Sequence, residues 1–326
     1  MTGADAPGGR GRLLFVAANP SIDRLYEVDR LVAGEIHRPR SMVAVPGGKG
    51  LNAARAATAL GGSVTAVGIV AGRAGDWILE RLAERSVDAR MARSAGETRT
   101  CVSILDRASG ELTEVYERGA PVGPAAWADL ESIVSGELAR GDIAAVALSG
   151  SLPRGASPDG FARMARLART VSGAAHPVPV IADTYGPALA EVLAERPSIV
   201  KVNAAEAGEA TGVAVVDAAS ARAAADALRQ AGAGSVIVTL GLRGAVVVSP
   251  GDRAHLVPPD IPGAYGVGSG DAFLGGLVVA LERGESLISA ARYGLAAGIA
   301  NAQIPGAGEL DLDAVEPALR AIVERS

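Results

Sequence analysis

Cysteine, lysine, histidine and aromatic residues are all scarce in this 326-residue sequence. A single cysteine, Cys101, excludes an internal disulfide and a cysteine-held zinc. Three scattered histidines, His37, His176 and His255, argue against a histidine metal site. Positive charge is not in excess: 31 Lys plus Arg face 36 Asp plus Glu, a net charge of −5. Nucleic-acid binding wants a basic face, so no nucleic-acid partner is expected. No apolar run approaches the roughly 18 residues of a membrane-spanning helix, so no membrane partner is expected either. Residues 1–11 are small, polar and Gly-rich, unlike the apolar stretch of a signal peptide, and are expected to form a flexible tail. The expected location is cytoplasmic. Only two basic residues are lysines, Lys49 and Lys201; the rest are arginines.

What is abundant is apolar residues, 49% of the chain. That amount, with only 21% charged residues, excludes a disordered chain and supplies a large core. Apolar runs at 13–18, 64–70, 143–148, 178–182, 199–202 and 236–240 alternate with helix-periodic segments at 52–60, 77–84, 161–171 and 219–231. Buried parallel strands read as continuous apolar runs joined by helical crossovers. The expected fold class is therefore α/β, a doubly wound and mainly parallel sheet flanked by helices. Two regions, about 24–46 and 98–118, interleave polar and apolar residues instead. They predict antiparallel strands and a hairpin inserted as a small β-sheet lid on a single domain spanning 12–326. The last sixty or so residues predict helices at 271–283, 287–303 and 313–324.

Five segments carry chemistry. Gly266-Val267-Gly268-Ser269-Gly270-Asp271 runs from a Gly-rich turn into an apolar helix. Backbone amides at such a helix start suit an anion or a transition state gaining negative charge. Asp271 there is either a helix N-cap or a general base beside the anion. Pro46-Gly47-Gly48-Lys49-Gly50-Leu51-Asn52 superficially resembles a phosphate loop, yet Leu51 stands where that motif needs a hydroxyl for Mg²⁺. It is either a tight turn or a backbone wrapped on a polar ligand that Lys49 and Asn52 reach. Lys201-Val202-Asn203-Ala204-Ala205-Glu206 begins a helix at a strand's carboxyl end. Asn203 and Glu206 either form a capping box or hold a phosphate and a hydrated Mg²⁺. Thr239-Leu240-Gly241-Leu242-Arg243-Gly244 is either an ordinary turn or a nucleotide-hugging strand end. Asp23 follows the first strand, as an Asx turn or as an acceptor for paired sugar hydroxyls. No G-x-G-x-x-G follows the first strand, which disfavours a dinucleotide oxidoreductase.

Taken in chain order, these segments resemble the PfkB family of ribokinase-like carbohydrate kinases from Arg12 onward. The resemblance rests on Gly47-Gly48-Lys49-Gly50-Leu51-Asn52-Ala53-Ala54, on Gly266–Gly275, and on the N-x-x-E pair Asn203 and Glu206. Asn19-Pro20-Ser21-Ile22-Asp23, Thr98-Arg99-Thr100, Ser149-Gly150-Ser151-Leu152-Pro153 and Ala182-Asp183-Thr184 are similar to the 1-phosphofructokinase and tagatose-6-phosphate kinase branch rather than to ribokinase. The resemblance implies a fold with a β-sheet lid that is often a dimer contact, and so a homodimer through the lid. It implies ATP-dependent phosphorylation of a sugar hydroxyl, on a hexose phosphate such as fructose 1-phosphate, fructose 6-phosphate or tagatose 6-phosphate. Asp271 would be the base, with Gly268, Ser269 and Gly270 holding the transferred phosphoryl group. Asp23, Gly47, Gly48, Lys49 and Asn52 would bind the sugar, and Arg38 and Arg99 its phosphate. Lys201, Asn203 and Glu206 would organise ATP and Mg²⁺, Glu206 through water, while Thr239, Gly241 and Gly244 line the nucleotide. A K⁺ requirement is left open. Three features depart from the branch: Val202 for the usual proline, Pro262-Gly263-Ala264-Tyr265 before the Gly-rich turn, and Glu114 near a lid arginine of some relatives. The alternatives are a same-fold kinase for ribose, a sugar acid or a nucleoside, and a non-catalytic sugar sensor.

Overall fold

The computed structural model describes residues 11–171 and 178–325. The expected tail therefore lies almost wholly outside the described residues, as does His176. Ten strands form one sheet, in which Arg12–Ala17 has two strands on one side and seven on the other. Val64–Ala71 and then Asp88–Ser94 lie on one side of it. Ile143–Ser149, Val180–Asp183, Ile199–Asn203 and Ser235–Thr239 follow on the other. These seven strands are parallel to one another. All but the edge strand Asp88–Ser94 are almost wholly buried, as their apolar runs require, with helices packed on both faces. Chain order reverses direction between Arg12–Ala17 and Ile143–Ser149, which opens a crevice at the carboxyl ends of the strands.

Beyond Ser235–Thr239 the sheet turns antiparallel, through Ala245–Val248, Arg253–Val257 and Val323–Arg325. The last of these corrects an expectation. The terminal helix ends at Ala321, and Val323–Arg325 extends the sheet edge instead of continuing it. Arg292 donates to the carbonyls of Leu319 and Ile322, which draws the chain out of the helix. Ile322 is buried and Val323 pairs with Val257, a placement that suits β-branched residues.

A second sheet of four strands orders Ser41–Gly47, Ser21–Val28, Thr100–Asp106 and Leu112–Tyr116. Its outer pairs are antiparallel, but Ser21–Val28 runs parallel to Thr100–Asp106, which corrects the all-antiparallel expectation. The parallel pair arises because the intervening chain crosses the main sheet first. Ser21 pairs with Gly47 and Ile22 with Thr100, so this end of the lid sits at the crevice. Glu27 pairs with Ser41 at the far end, about 20 Å away at the usual rise of a strand.

Candidate active site

The crevice is a cleft of about 660 Å³, open to solvent, between the strand ends and the lid. Asp23, Gly48, Lys49, Asn52 and Arg99 line one side, and Lys201, Asn203, Glu206 and Thr239 the other. Gly268, Gly270 and Asp271 close it.

Asp271 is the third residue of the helix Ser269–Glu282, whose N-cap is Gly268. It makes no cap hydrogen bond. Its side chain is 8% exposed and its Oδ2 accepts from Asn52 Nδ2 at 2.9 Å. The capping reading therefore fails, and a buried carboxylate faces the cleft. Burial, reinforced by the charge of Asp183, pushes its pKa up to about 7. Lys49, the Asn52 hydrogen bond and Lys201 pull the other way. A carboxylate poised near neutrality can serve as a general base. Gly268 has φ +85°, and a Cβ there would lie 2.5 Å from the Gly308 nitrogen. Only glycine lets the anion turn pack on the segment beneath it.

The turn at 46–52 is tighter than expected. The helix begins at Lys49 rather than Asn52, because Gly48 already stands as its N-cap. A Cβ on Gly47 would sit 2.0 Å from the Asp23 carboxyl carbon, so that glycine makes room for the carboxylate. Asp23 is no Asx turn. It lies within the lid strand, where Oδ2 accepts from the Gly48 amide and Asn52 Nδ2 at 3.2 Å each. Ser21 donates to its Oδ1 at 2.6 Å.

Both lysines point inward. Lys49 Nζ lies 2.6 Å from Glu206 Oε1 and 3.9 Å from Asp183 Oδ1. Burial lowers its pKa, but the carboxylates of Asp183, Glu206 and Asp271 outweigh that and hold it above the usual lysine range. Lys201 is buried, with Nζ 3.3 Å from Asp183 Oδ2 and 3.7 Å from where a Gly270 Cβ would stand. Asn203 and Glu206 form a complete capping box, and Glu206 still reaches Lys49 with its other oxygen. The capping reading of that motif therefore holds, with one carboxylate oxygen left over for Lys49.

Some predicted residues lie outside the cleft. Arg38 is exposed in the connection between Ser21–Val28 and Ser41–Gly47, at the end of the lid away from the crevice. Ser269 faces the helix Leu287–Asn301, where its carbonyl lies 2.9 Å from the Cβ position of Gly298. Gly241 is exposed in a single 3₁₀ turn. Gly244 is buried, and the Leu256 carbonyl occupies the place of a Cβ, so its role is packing. Asp183, part of the Ala182-Asp183-Thr184 stretch that carries the resemblance, has no role among the predicted site residues. It is 1% exposed at a strand's carboxyl end, bridges both lysines, and its Oδ1 has no hydrogen-bond partner among the described residues. Its signal was present, a carboxylate ending an apolar strand.

Arg99 follows the lid sheet to its crevice end, just before Thr100. Its guanidinium makes only two long contacts, to Asn19 and Glu117 carbonyls at 3.3 and 3.5 Å, and Nε is buried without a partner among the described residues. Glu114 lines the same wall and accepts hydrogen bonds from Tyr116 and, at 3.5 Å, from Ser103. No group of three or more described His, Cys, Asp or Glu residues is placed to hold a metal ion. Glu206 and Asp183 nevertheless suit Mg²⁺, which keeps its waters and takes few carboxylates.

Residues 16–314 match the pfkB family carbohydrate kinase. The chain is 34% identical over 287 residues to a 1-phosphofructokinase of Rhodobacter capsulatus, covering 87% of this chain and 88% of that one. It is 32% identical over 317 residues to a 1-phosphofructokinase of Xanthomonas campestris, covering 95% and 97%. A crystal structure of Escherichia coli phosphofructokinase-2 in complex with potassium superposes with a TM-score of 0.85 at 27% identity, covering 95% and 98%. The glycine-framed anion turn, the cleft and the lid thus occur in a chain matched along most of its length by sugar kinases. The chain belongs to the pfkB family of carbohydrate kinases, and its fold is the ribokinase-like fold expected from the sequence.

Proposed function

We propose that this enzyme transfers the γ-phosphoryl group of ATP to a hydroxyl of a hexose phosphate. The observation that carries the reading is Asp271, buried at the anion turn and bonded to Asn52, which also holds Asp23. Asp23 and Asn52 orient the sugar hydroxyls. Asp271 accepts the proton of the attacking hydroxyl while the amides of Gly268 and Gly270 meet the charge on the phosphoryl group. Lys201 and Lys49 add positive charge to the cleft. Glu206, through water, and Asp183 would hold Mg²⁺, whose bound charge would neutralise the ATP phosphates. Asn203 and Thr239 border the nucleotide. Arg99, with its unspent donors, grips the phosphate already on the sugar. The curated relatives named 1-phosphofructokinase make fructose 1-phosphate the first acceptor to try. The potassium complex of the E. coli relative makes K⁺ the monovalent ion to test.

The lid leaves Ile36, Met42 and Val115 between 51% and 85% exposed, and we assign this face to a homodimer. No described helix is long and apolar enough to cross a membrane, and a cytoplasmic location accords with the lone buried Cys101.

The decisive experiment is Asp271→Asn, assayed with fructose 1-phosphate, fructose 6-phosphate, tagatose 6-phosphate and ribose. We expect kcat to fall about 10³-fold on the best acceptor while ATP still binds. Stability gives the control. The folded pKa of Asp271 is raised, so the neutral form is favoured and the ionised form costs stability as pH rises through about 7. Asn, always neutral, should therefore leave Tm at pH 8 equal or higher. Near-normal turnover by Asp271→Asn removes the base. Binding without turnover by the wild type across the panel leaves a sensor.

A further inference from the structure

Behind the cleft wall lies a charged group that the reaction does not touch. Arg55 is 3% exposed on the helix Lys49–Ala59, one turn beyond Asn52. Its Nε donates to the Pro46 carbonyl at 2.9 Å and its Nη1 to Glu309 Oε1 at 2.7 Å. Its Nη2 donates to the Ala307 carbonyl and, at 2.9 Å, to Asn52 Oδ1. A buried guanidinium is costly to desolvate, so this much satisfied geometry asks for a reason.

The reason is the polarity of Asn52. Its amide has one accepting and one donating end. The donating end, Nδ2, bridges Asp23 Oδ2 at 3.2 Å and Asp271 Oδ2 at 2.9 Å. Carboxylates can only accept, and a guanidinium can only donate. A flipped amide would turn its oxygen to two carboxylates and its NH₂ to Arg55, losing three hydrogen bonds at once. We propose that Arg55 is a positioning residue that locks the Asn52 amide in one orientation and thereby holds the sugar-binding carboxylate and the base in register. The contact with Ala307 extends the lock. Ala307 and Gly308 are the residues against which Gly268 of the anion turn packs. One guanidinium so ties together the sugar side, the base and the turn that receives the phosphoryl group. Arg85 donates to the same Glu309 oxygen at 3.2 Å, so Glu309 keeps a cationic partner when Arg55 is replaced.

The inference rests on the kinase reading, with Asp271 as base. Its test is steady-state kinetics of Arg55→Met, Asn52→Ala and the double variant, with thermal unfolding of each. We expect Arg55→Met to lower kcat/KM for the sugar phosphate about 30-fold, through both kcat and the sugar KM, with the ATP KM within about 2-fold. In the Asn52→Ala background the same substitution should cost less than about 3-fold, because its target is gone. Losses that multiply in the double variant overturn the proposal. So do equal rises in both KM values, which mark general loosening, and so does unchanged activity of Arg55→Met. Should Arg55→Met give no cooperative unfolding transition, Arg55→Lys decides. One ammonium cannot meet Pro46, Asn52 and Glu309 together, so a loss of about 10-fold confined to kcat and the sugar KM supports the lock, and wild-type constants overturn it. The kinase reading fails separately, through retained turnover of Asp271→Asn.

Discussion

The floor of the cleft and its lid are built on opposite terms. On the floor, Asn52 bonds Asp271 and the Asp23 carboxylate that the lid strand brings to it, while Glu206, Lys49, Asp183 and Lys201 form a second chain of ion pairs. In the lid, Leu112–Tyr116 is exposed along its whole length, Arg38 lies on the surface, and Arg99 holds only long contacts. The floor is preorganised, so its groups carry no reorganisation cost at the moment of reaction. The lid keeps unspent capacity, which a ligand or a second subunit would take up. Substitutions should therefore divide: floor changes act on kcat, lid changes on the KM for the sugar.

The largest effect that tests this division is expected from Gly268→Ala. A Cβ would collide with backbone at Ala307 and Gly308, and the residue would be left at a strained positive φ. The turn must shift, and we expect kcat to fall at least about 10²-fold, with an unchanged sugar KM. A KM effect alone would show that the turn serves binding rather than transfer.

Asp183→Asn should come next. Its charge is the second cause, after burial, of the raised Asp271 pKa. Removing it takes away a repelling charge while Lys49 and Lys201 still pull the other way, so the Asp271 pKa should fall. The acid limb of kcat/KM, expected near pH 7 in the wild type, should then move about one unit lower. At pH 8, kcat should drop about tenfold as Lys201 loses its ion-pair partner. An unmoved limb would separate Asp183 from the base.

These two residues also mark how far the sequence could be read. Gly268 was legible because its signal is local, a glycine turn entering an apolar helix. The central strands were legible for a similar reason, since burial on both faces leaves an unbroken apolar run. Asp183 acquires its meaning only from Lys49 and Lys201, which topology brings to it from far along the chain. Arg55 likewise depends on Glu309, 254 residues away. Strand Asp88–Ser94 escaped notice because it is the sheet edge, half exposed, and reads as DARMARS rather than as an apolar run. Gly244 misled for the opposite reason. A glycine beside a strand looks the same whether a ligand or the Leu256 carbonyl takes the space.

The two lid arginines give the finest comparison, because they differ in place rather than in chemistry. Arg99 stands at the crevice end of the lid, where Ile22 pairs with Thr100. Arg99→Ala should raise the KM for fructose 1-phosphate about 30-fold, leave the KM for ATP unchanged, and barely affect kcat. Glu114 on the same wall opposes a phosphate, so the gain from Arg99 must exceed that repulsion, and high salt should weaken sugar binding. Arg38 lies at the other end of an eight-residue strand, in solvent. Arg38→Ala should change every constant less than about 2-fold, as surface charges screened by water do. If its sugar KM rises as far as that of Arg99→Ala, Arg38 must reach a cleft other than its own. The effect should then vanish on dilution to monomers, because only a second subunit meeting the exposed lid face could present that cleft.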